Sequence, residues 1–203
     1  MITTTWLVAI VLFAISTSFS PGPNNLLLVT SGANFGLKRT WRHILGINVG
    51  FPAMVVIVGV FLGAVFQRYP WLHDTLAIVG SAYLLYLTWK LLMASGSVER
   101  GAMGKPIGVV EAALFQWVNP KAWVMATGAI AAYTTTSGFG VELGVIAAVF
   151  LVVGFLSSTT WAAFGELIAR FLDTPGRIRA FNIALGLMLL ASIVPILLSR
   201  APV

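Results

Sequence analysis

Ser20-Pro21-Gly22-Pro23-Asn24-Asn25 interrupts an apolar run that extends from Trp6 to Ala33. Each proline removes an amide donor, fixes φ and drives the residue before it out of the helical region, so a membrane-crossing helix must break here. Such a break leaves backbone polar groups without intrahelical partners. In hydrocarbon they are tolerated only where they are buried in protein or line a wet cavity. A second interruption, Asn119-Pro120-Lys121, falls in the other half of the chain. The two breaks are expected to face each other near the bilayer midplane and to form the site of transport.

Composition places these breaks in a membrane. The 203 residues are 59% hydrophobic and only 9% charged, with mean hydropathy +0.96, against roughly 25% charged in soluble domains. The chain reads as an all-α integral membrane protein. It has no cysteine, which excludes disulfides, thiolate metal sites and thiol redox chemistry. His43 and His73 are read as lying in separate loops or helix ends, so neither a metal site nor a cofactor is expected. The net charge of +6 is spread over short loops rather than gathered in one patch, which points to membrane topology and not to nucleic acid. No phosphate-cradling glycine loop is present, so ATP is not the direct energy source. The apolar start lacks a basic region, the first basic residue being Lys38, and reads as a retained first helix rather than a signal peptide.

With about 20 apolar residues per crossing, six spans are expected at roughly 5–33 (broken), 42–66, 72–93, 107–132 (broken), 142–168 and 179–199. Pro52 and Pro195 should kink the second and sixth spans without ending them. Lys38, Arg39 and Arg42 follow span one, Lys90, Arg100 and Lys105 span three, and Arg170, Arg177 and Arg179 span five, whereas only Arg68 and Arg200 fall on the other side. This bias puts both termini outside the cytoplasm.

The polar stretch 96–106 splits the chain, giving a first three-helix unit over 1–95 and a second over 107–203 within one transmembrane domain. Ser31-Gly32-Ala33 matches Thr127-Gly128-Ala129 at an offset of about 96 residues, Leu45-Gly46 echoes Leu143-Gly144, and Gly80 echoes Gly186. The same offset lays Pro23-Asn24-Asn25 on Asn119-Pro120-Lys121. Three spans is an odd number, so the two units are expected to form an inverted repeat, with the site at their interface. The small-residue pairs Gly32 and Gly36, Gly46 and Gly50, Gly59 and Gly63, and Gly140 and Gly144 are expected to let helices pack closely.

A short helix should restart after each break, near Asn24 and near Pro120, and both N-termini favour an anion such as a carboxylate. Asn119 before Pro120 is a good N-cap and first-turn pair; at the first break Ser20 and Asn24 are both eligible caps. Lys121 lies about 21 Å into its span, too deep to snorkel easily, and an ionisable residue at that depth is a functional candidate. Its partner is either a substrate carboxylate or the carbonyls of the first break. Asp74, Glu111, Glu142 and Glu166 fall near span ends, where solvated or interfacial charges are usual. Glu111, on the approach to Asn119, is the best placed of them for a proton relay. Gln116 and Asn48 are mid-helix polar groups that interhelical hydrogen bonding would explain.

The Ser20-Pro21-Gly22-Pro23-Asn24 run, followed by Gly32, Gly36 and Gly46, with Asn119-Pro120-Lys121-Ala122 opening the second half, resembles the LysE/RhtB family of bacterial amino-acid exporters over essentially the whole chain. The resemblance implies a multi-pass protein of the bacterial cytoplasmic (inner) membrane, not an enzyme. It would export amino acids or close derivatives in exchange for protons, and it admits a homodimer. It also implies that Pro21, Gly22, Pro23, Asn24, Asn119, Pro120 and Lys121 serve the substrate, with Asn25 beside them. A non-transporting membrane scaffold or partner subunit is the alternative, in which broken helices serve packing alone.

Two helix N-termini and Lys121 would make the cavity electropositive. A second cation on the substrate side chain, about 6 Å from Lys121 at an effective dielectric near 20, would be repelled by roughly 3 kcal/mol. Small, neutral amino acids are therefore the expected substrates, their ammonium met by carbonyls near Thr17 to Ser20 and Phe115 to Val118.

Overall fold

The computed structural model describes residues 2–62, 105–172 and 174–198, and eight isolated positions between 75 and 93. Apart from those eight positions, the expected third span at 72–93 lies outside the described residues, as do the Gly80 match, most of the 96–106 linker and Gly63. What is described is helical throughout: α1 Thr4–Phe19, α2 Pro23–Phe35, α3 Leu37–Ile57 continued by a π-helical turn Val58–Leu62, α4 Val109–Val118, α5 Pro120–Tyr133, α6 Phe139–Ala169 and α7 Pro175–Leu198.

The prolines act as their chemistry requires. α1 ends at Ser20 in extended backbone, and α2 restarts with Pro23 in its first turn. The two axes differ by 56°, and together they are apolar and long enough for one broken span. Asn119 alone separates α4 from α5, again with proline opening the new helix. Pro52 sits inside α3 and Pro195 inside α7 without ending either. Two unbroken segments, Leu37–Phe61 and Phe139–Ala169, are long and apolar enough to cross a membrane.

The apolar core forms two clusters separated at the level of the breaks. One gathers Leu26 to Val29 of α2, Ile44 and Ile47 of α3, Ala112 and Phe115 of α4, Ala162 of α6 and Leu185 of α7. The other gathers Ile10 and Ala14 of α1, Phe51 to Val58 of α3, Ala122 to Ala129 of α5, and Leu143 to Val153 of α6. α3 and α6 run through both clusters. α1 shares a layer with α5, and α2 shares the other with α4. At the far end of the first layer the Trp6 indole Nε1 donates to the Tyr133 carbonyl at 3.1 Å, joining the start of α1 to the end of α5.

Missing side chains set the helix spacing. A Cβ at Gly32 would collide with the Ala162 carbonyl, and one at Gly165 with the Val29 carbonyl, so α2 and α6 touch backbone to backbone. Gly46 meets the Val109 carbonyl in the same way, Gly50 would place a Cβ 2.5 Å from Ala113 Cα, and Gly59 receives the Leu143 side chain. The remaining expected pairings differ. Gly140 and Gly144 face open space, and Gly36, at φ 75°, forms the α2–α3 turn. The match of Gly46 to Gly144 is thus one of sequence and not of packing.

Two acids depart from the solvated or interfacial reading. Glu142 is 2% exposed, its carboxylate accepting from the Thr135 amide at 2.6 Å and from the Thr135 hydroxyl. It closes the turn between α5 and α6. Glu166 accepts from the Leu37 amide at 2.7 Å, capping α3 from across the bundle.

Candidate functional site

The end of α1 presents carbonyls that its own helix cannot use, and α1 has no basic residue in its last turn to offset them. Other elements supply the donors. Asn25 Nδ2, on α2, donates to the carbonyls of Ser18 and Ser20, both at 2.8 Å. Ser157 Oγ, on α6, donates to the Ser18 carbonyl at 2.8 Å. Lys121 Nζ, on α5, donates to the Ser20 carbonyl at 2.5 Å and approaches that of Pro21 at 3.5 Å. The two breaks are therefore adjacent, tied by the ammonium of the second to the backbone of the first.

Gly22 makes this crossing possible. Its backbone is extended, so conformation does not require glycine, but a Cβ there would lie 2.6 Å from Lys121 Cδ and 3.0 Å from Nζ. The absence of a side chain is the passage for Lys121. Gly22 is also the cap position of α2, with no side-chain cap bond, so neither Ser20 nor Asn24 caps this helix. The Asn24 and Asn25 amides have no protein partner among the described residues.

The second restart is closed. Asn119, 1% exposed, accepts from the Lys121 amide through its side chain at 3.1 Å, and its carbonyl takes the Ala122 and Trp123 amides. The expectation that both restarts offer free amides to an anion thus holds for α2 and not for α5. At the carbonyl end of α4, the Gln116 carbonyl accepts from the Asn119 amide at 3.3 Å and the Trp117 carbonyl from Trp123 Nε1 at 2.8 Å. Above the breaks, Asn24 and Gln116 exchange amides, Asn24 Nδ2 donating at 2.8 Å and Gln116 Nε2 returning at 3.3 Å.

These groups enclose a cavity of about 50 Å³. Of the residues expected from sequence, Gly22, Asn24, Asn25, Asn119 and Lys121 line it. Pro21, Pro23 and Pro120 stand outside the lining and shape the backbone around it. Glu111 is exposed on the first turn of α4 and does not reach the cavity. Lys121 is the one charged residue among the described lining residues.

Thr17 and Ser18, at the expected carbonyl end of α1, line the cavity as well, and the unbroken helices contribute walls that sequence reasoning did not assign to the site: Asn48 and Pro52 of α3, and Gly154, Ser157 and Ser158 of α6. Asn48 Nδ2 donates to Ser158 Oγ at 3.2 Å, and Gly154 leaves room for the Asn48 side-chain oxygen. Pro52 gives no amide to the Asn48 carbonyl four residues back, which loses its intrahelical donor. Two signals were present in the sequence. One is Asn48 four residues before Pro52, and the other is the adjacent pair Ser157-Ser158 in an otherwise apolar span.

No solved structure matches this chain. It is similar to the cysteine/O-acetylserine efflux protein of Escherichia coli (strain K12), 28% identical over 188 residues that cover 92% of this chain and 95% of the relative. The protein of that name from Shigella flexneri is 27% identical over 178 residues, 87% of this chain and 90% of the relative. The family model described as LysE type translocator matches residues 15–198. Broken apolar helices, a cavity with asparagine, serine and lysine in its wall where they break, and a family match over nearly the whole length lead to one conclusion: the chain belongs to the LysE-type translocator family, membrane transporters and not enzymes.

Proposed function

We propose that the chain exports small, neutral amino acids or close derivatives from the cytoplasm, and that the cavity between the two breaks is where they bind. The observation that carries this reading is the Lys121 ammonium, held on the Ser20 carbonyl and lining a cavity with no carboxylate among its described lining residues. A substrate carboxylate would take Lys121 from that carbonyl and meet the unpartnered Asn24 and Asn25 amides. Its ammonium would face the Ser20 and Asn48 carbonyls. A cavity of about 50 Å³ is small beside ligand pockets of roughly 300 Å³ and more, so loading requires α1–α2 and α4–α5 to part. Cysteine and O-acetylserine, the substrates in the relatives' names, are both small and carry no net side-chain charge, in keeping with a cavity that already holds one cation.

The architecture belongs to the same proposal: six spans in two inverted three-helix repeats, 1–95 and 107–203 joined by 96–106, in the cytoplasmic membrane with both termini outside. The layering supports it, because α1 beside α5 and α2 beside α4 is the arrangement that two oppositely inserted units would give. Exchange for protons is the proposed energy source, in a chain without a nucleotide-binding loop. Counterflow of radiolabelled O-acetylserine in proteoliposomes tests the function. Leucine and threonine should compete, and lysine and arginine should compete less well; an absence of counterflow would leave the scaffold alternative in its place.

A further inference from the structure

A second cavity, of about 440 Å³, opens at the far ends of the two helices that wall the first. The central cavity touches Asn25 on α2 and Ser158 on α6, and the second touches Asn34 and Glu166 on those helices. Nine and eight residues of helix place them about 12 to 14 Å apart. Its volume falls within the range of small-molecule pockets, roughly 300 to 1,000 Å³. Arg39 and Arg170 line it, which puts it on the side that the basic loops assign to the cytoplasm.

The chemistry of its wall is that of a zwitterion in reverse. Arg39 and Arg170 are exposed and supply two guanidinium groups, which suit a carboxylate bidentately. Arg39 rests over the Phe35 ring, its Cζ 5.7 Å from the centroid, which holds the fork at the rim. Glu166 has one oxygen on the Leu37 amide, and its carboxylate lies 3.8 to 4.0 Å from where a Gly36 Cβ would stand. Its second oxygen is uncommitted, and among the described residues no ion pair neutralises it. Asn34 donates one amide hydrogen to the Thr30 carbonyl at 2.8 Å, leaving its side-chain oxygen as a further acceptor. The central cavity, in contrast, has a lone cation.

We propose that this vestibule is a separate binding site for the free zwitterionic amino acid, the first contact on the loading face, with Arg39 and Arg170 taking the α-carboxylate and Glu166 with Asn34 the α-ammonium. It deepens the transport reading and rests on it for the identity of the ligand. Discrimination is by the backbone groups common to all amino acids, so the vestibule concentrates substrate without selecting a side chain. Selection is left to the central cavity.

The chain's lack of cysteine makes a single introduced thiol a unique reporter. In Ala169→Cys, at the vestibule wall, the rate of maleimide labelling is measured in phosphatidylcholine proteoliposomes with O-acetylserine, threonine or leucine present. All three should slow labelling, whereas the threonine methyl ester and N-acetylthreonine, each lacking one charge, should not. Adding Arg39→Gln with Arg170→Gln should weaken protection about tenfold or more, the loss expected of a charge-assisted contact. Adding Lys121→Ala should leave protection intact. No protection by any zwitterion would overturn the proposal, as would protection lost with Lys121, or blocking that follows phosphatidylethanolamine or anionic lipid instead of amino acid. Labelling is read without transport, so failed counterflow with intact protection would sink the transport reading alone.

Discussion

Lys121 and Ser20, 101 residues apart in sequence, meet through a hydrogen bond of 2.5 Å from the ammonium to the backbone carbonyl. Lys121 stands in the first turn of α5, next to the positive end of its own helix dipole, where a cation is disfavoured. It turns instead to the negative end of α1. The contact therefore neutralises one break with the cation of the other, and it is labile in the way a binding site requires, because a carboxylate is a stronger partner for an ammonium than a carbonyl is.

Gly22→Ala should act at a distance from any ligand. The new methyl would occupy the path of the Lys121 side chain and push the ammonium off Ser20. Counterflow should fall by about tenfold or more, as expected for one charge-assisted bond. The decisive readout is a double-mutant cycle. Gly22→Ala and Lys121→Ala should be strongly non-additive in both thermal stability and counterflow, and additive losses would separate the two residues.

Gly32→Ala should damage the fold itself. Its methyl would meet the Ala162 backbone carbonyl, which lacks the freedom of a lysine tip, so α2 and α6 must separate at a cost of about 1 to 3 kcal/mol or more. Gly144→Ala is the control, since nothing stands within 4 Å of its Cβ position. Thermal unfolding in detergent should show a clear fall for the first and a neutral or slightly raised midpoint for the second.

Asn119→Ala removes the side-chain cap on the Lys121 amide and should cost about 1 kcal/mol of stability. Asn119→Asp retains the cap and should recover most of it. An equal loss in both variants, measured by the same unfolding assay, would show that Asn119 contributes through something other than its acceptor.

Much of this architecture was legible because proline and hydropathy act locally. Pro21, Pro23 and Pro120 dictate where helices stop, and long apolar runs dictate how far they extend, so the described helices begin and end near their expected bounds. The site was legible only along the two breaks. Asn48, Ser157 and Ser158 were opaque because a polar residue inside an apolar helix looks alike whether it faces a neighbouring helix or a cavity. Only the crossing of α3 with α6 at the level of the breaks decides that. The closed amides of α5 were hidden for a related reason. Asn119 was readable as a cap, but that it satisfies the restart while Gly22 leaves α2 open depends on which side chain must pass through the first break. Glu142 looked interfacial from its position near a span end, whereas the Thr135 turn folds over it.

The most direct test is counterflow of O-acetylserine by the wild-type chain and by Lys121→Ala, each reconstituted to equal density and shown to be folded by its unfolding midpoint. The account predicts robust exchange by the wild type and loss by about one to two decades in the variant, the effect of removing a charge-assisted contact to the substrate carboxylate. Undiminished exchange by a folded Lys121→Ala protein would contradict it and reduce the lysine to a structural tether.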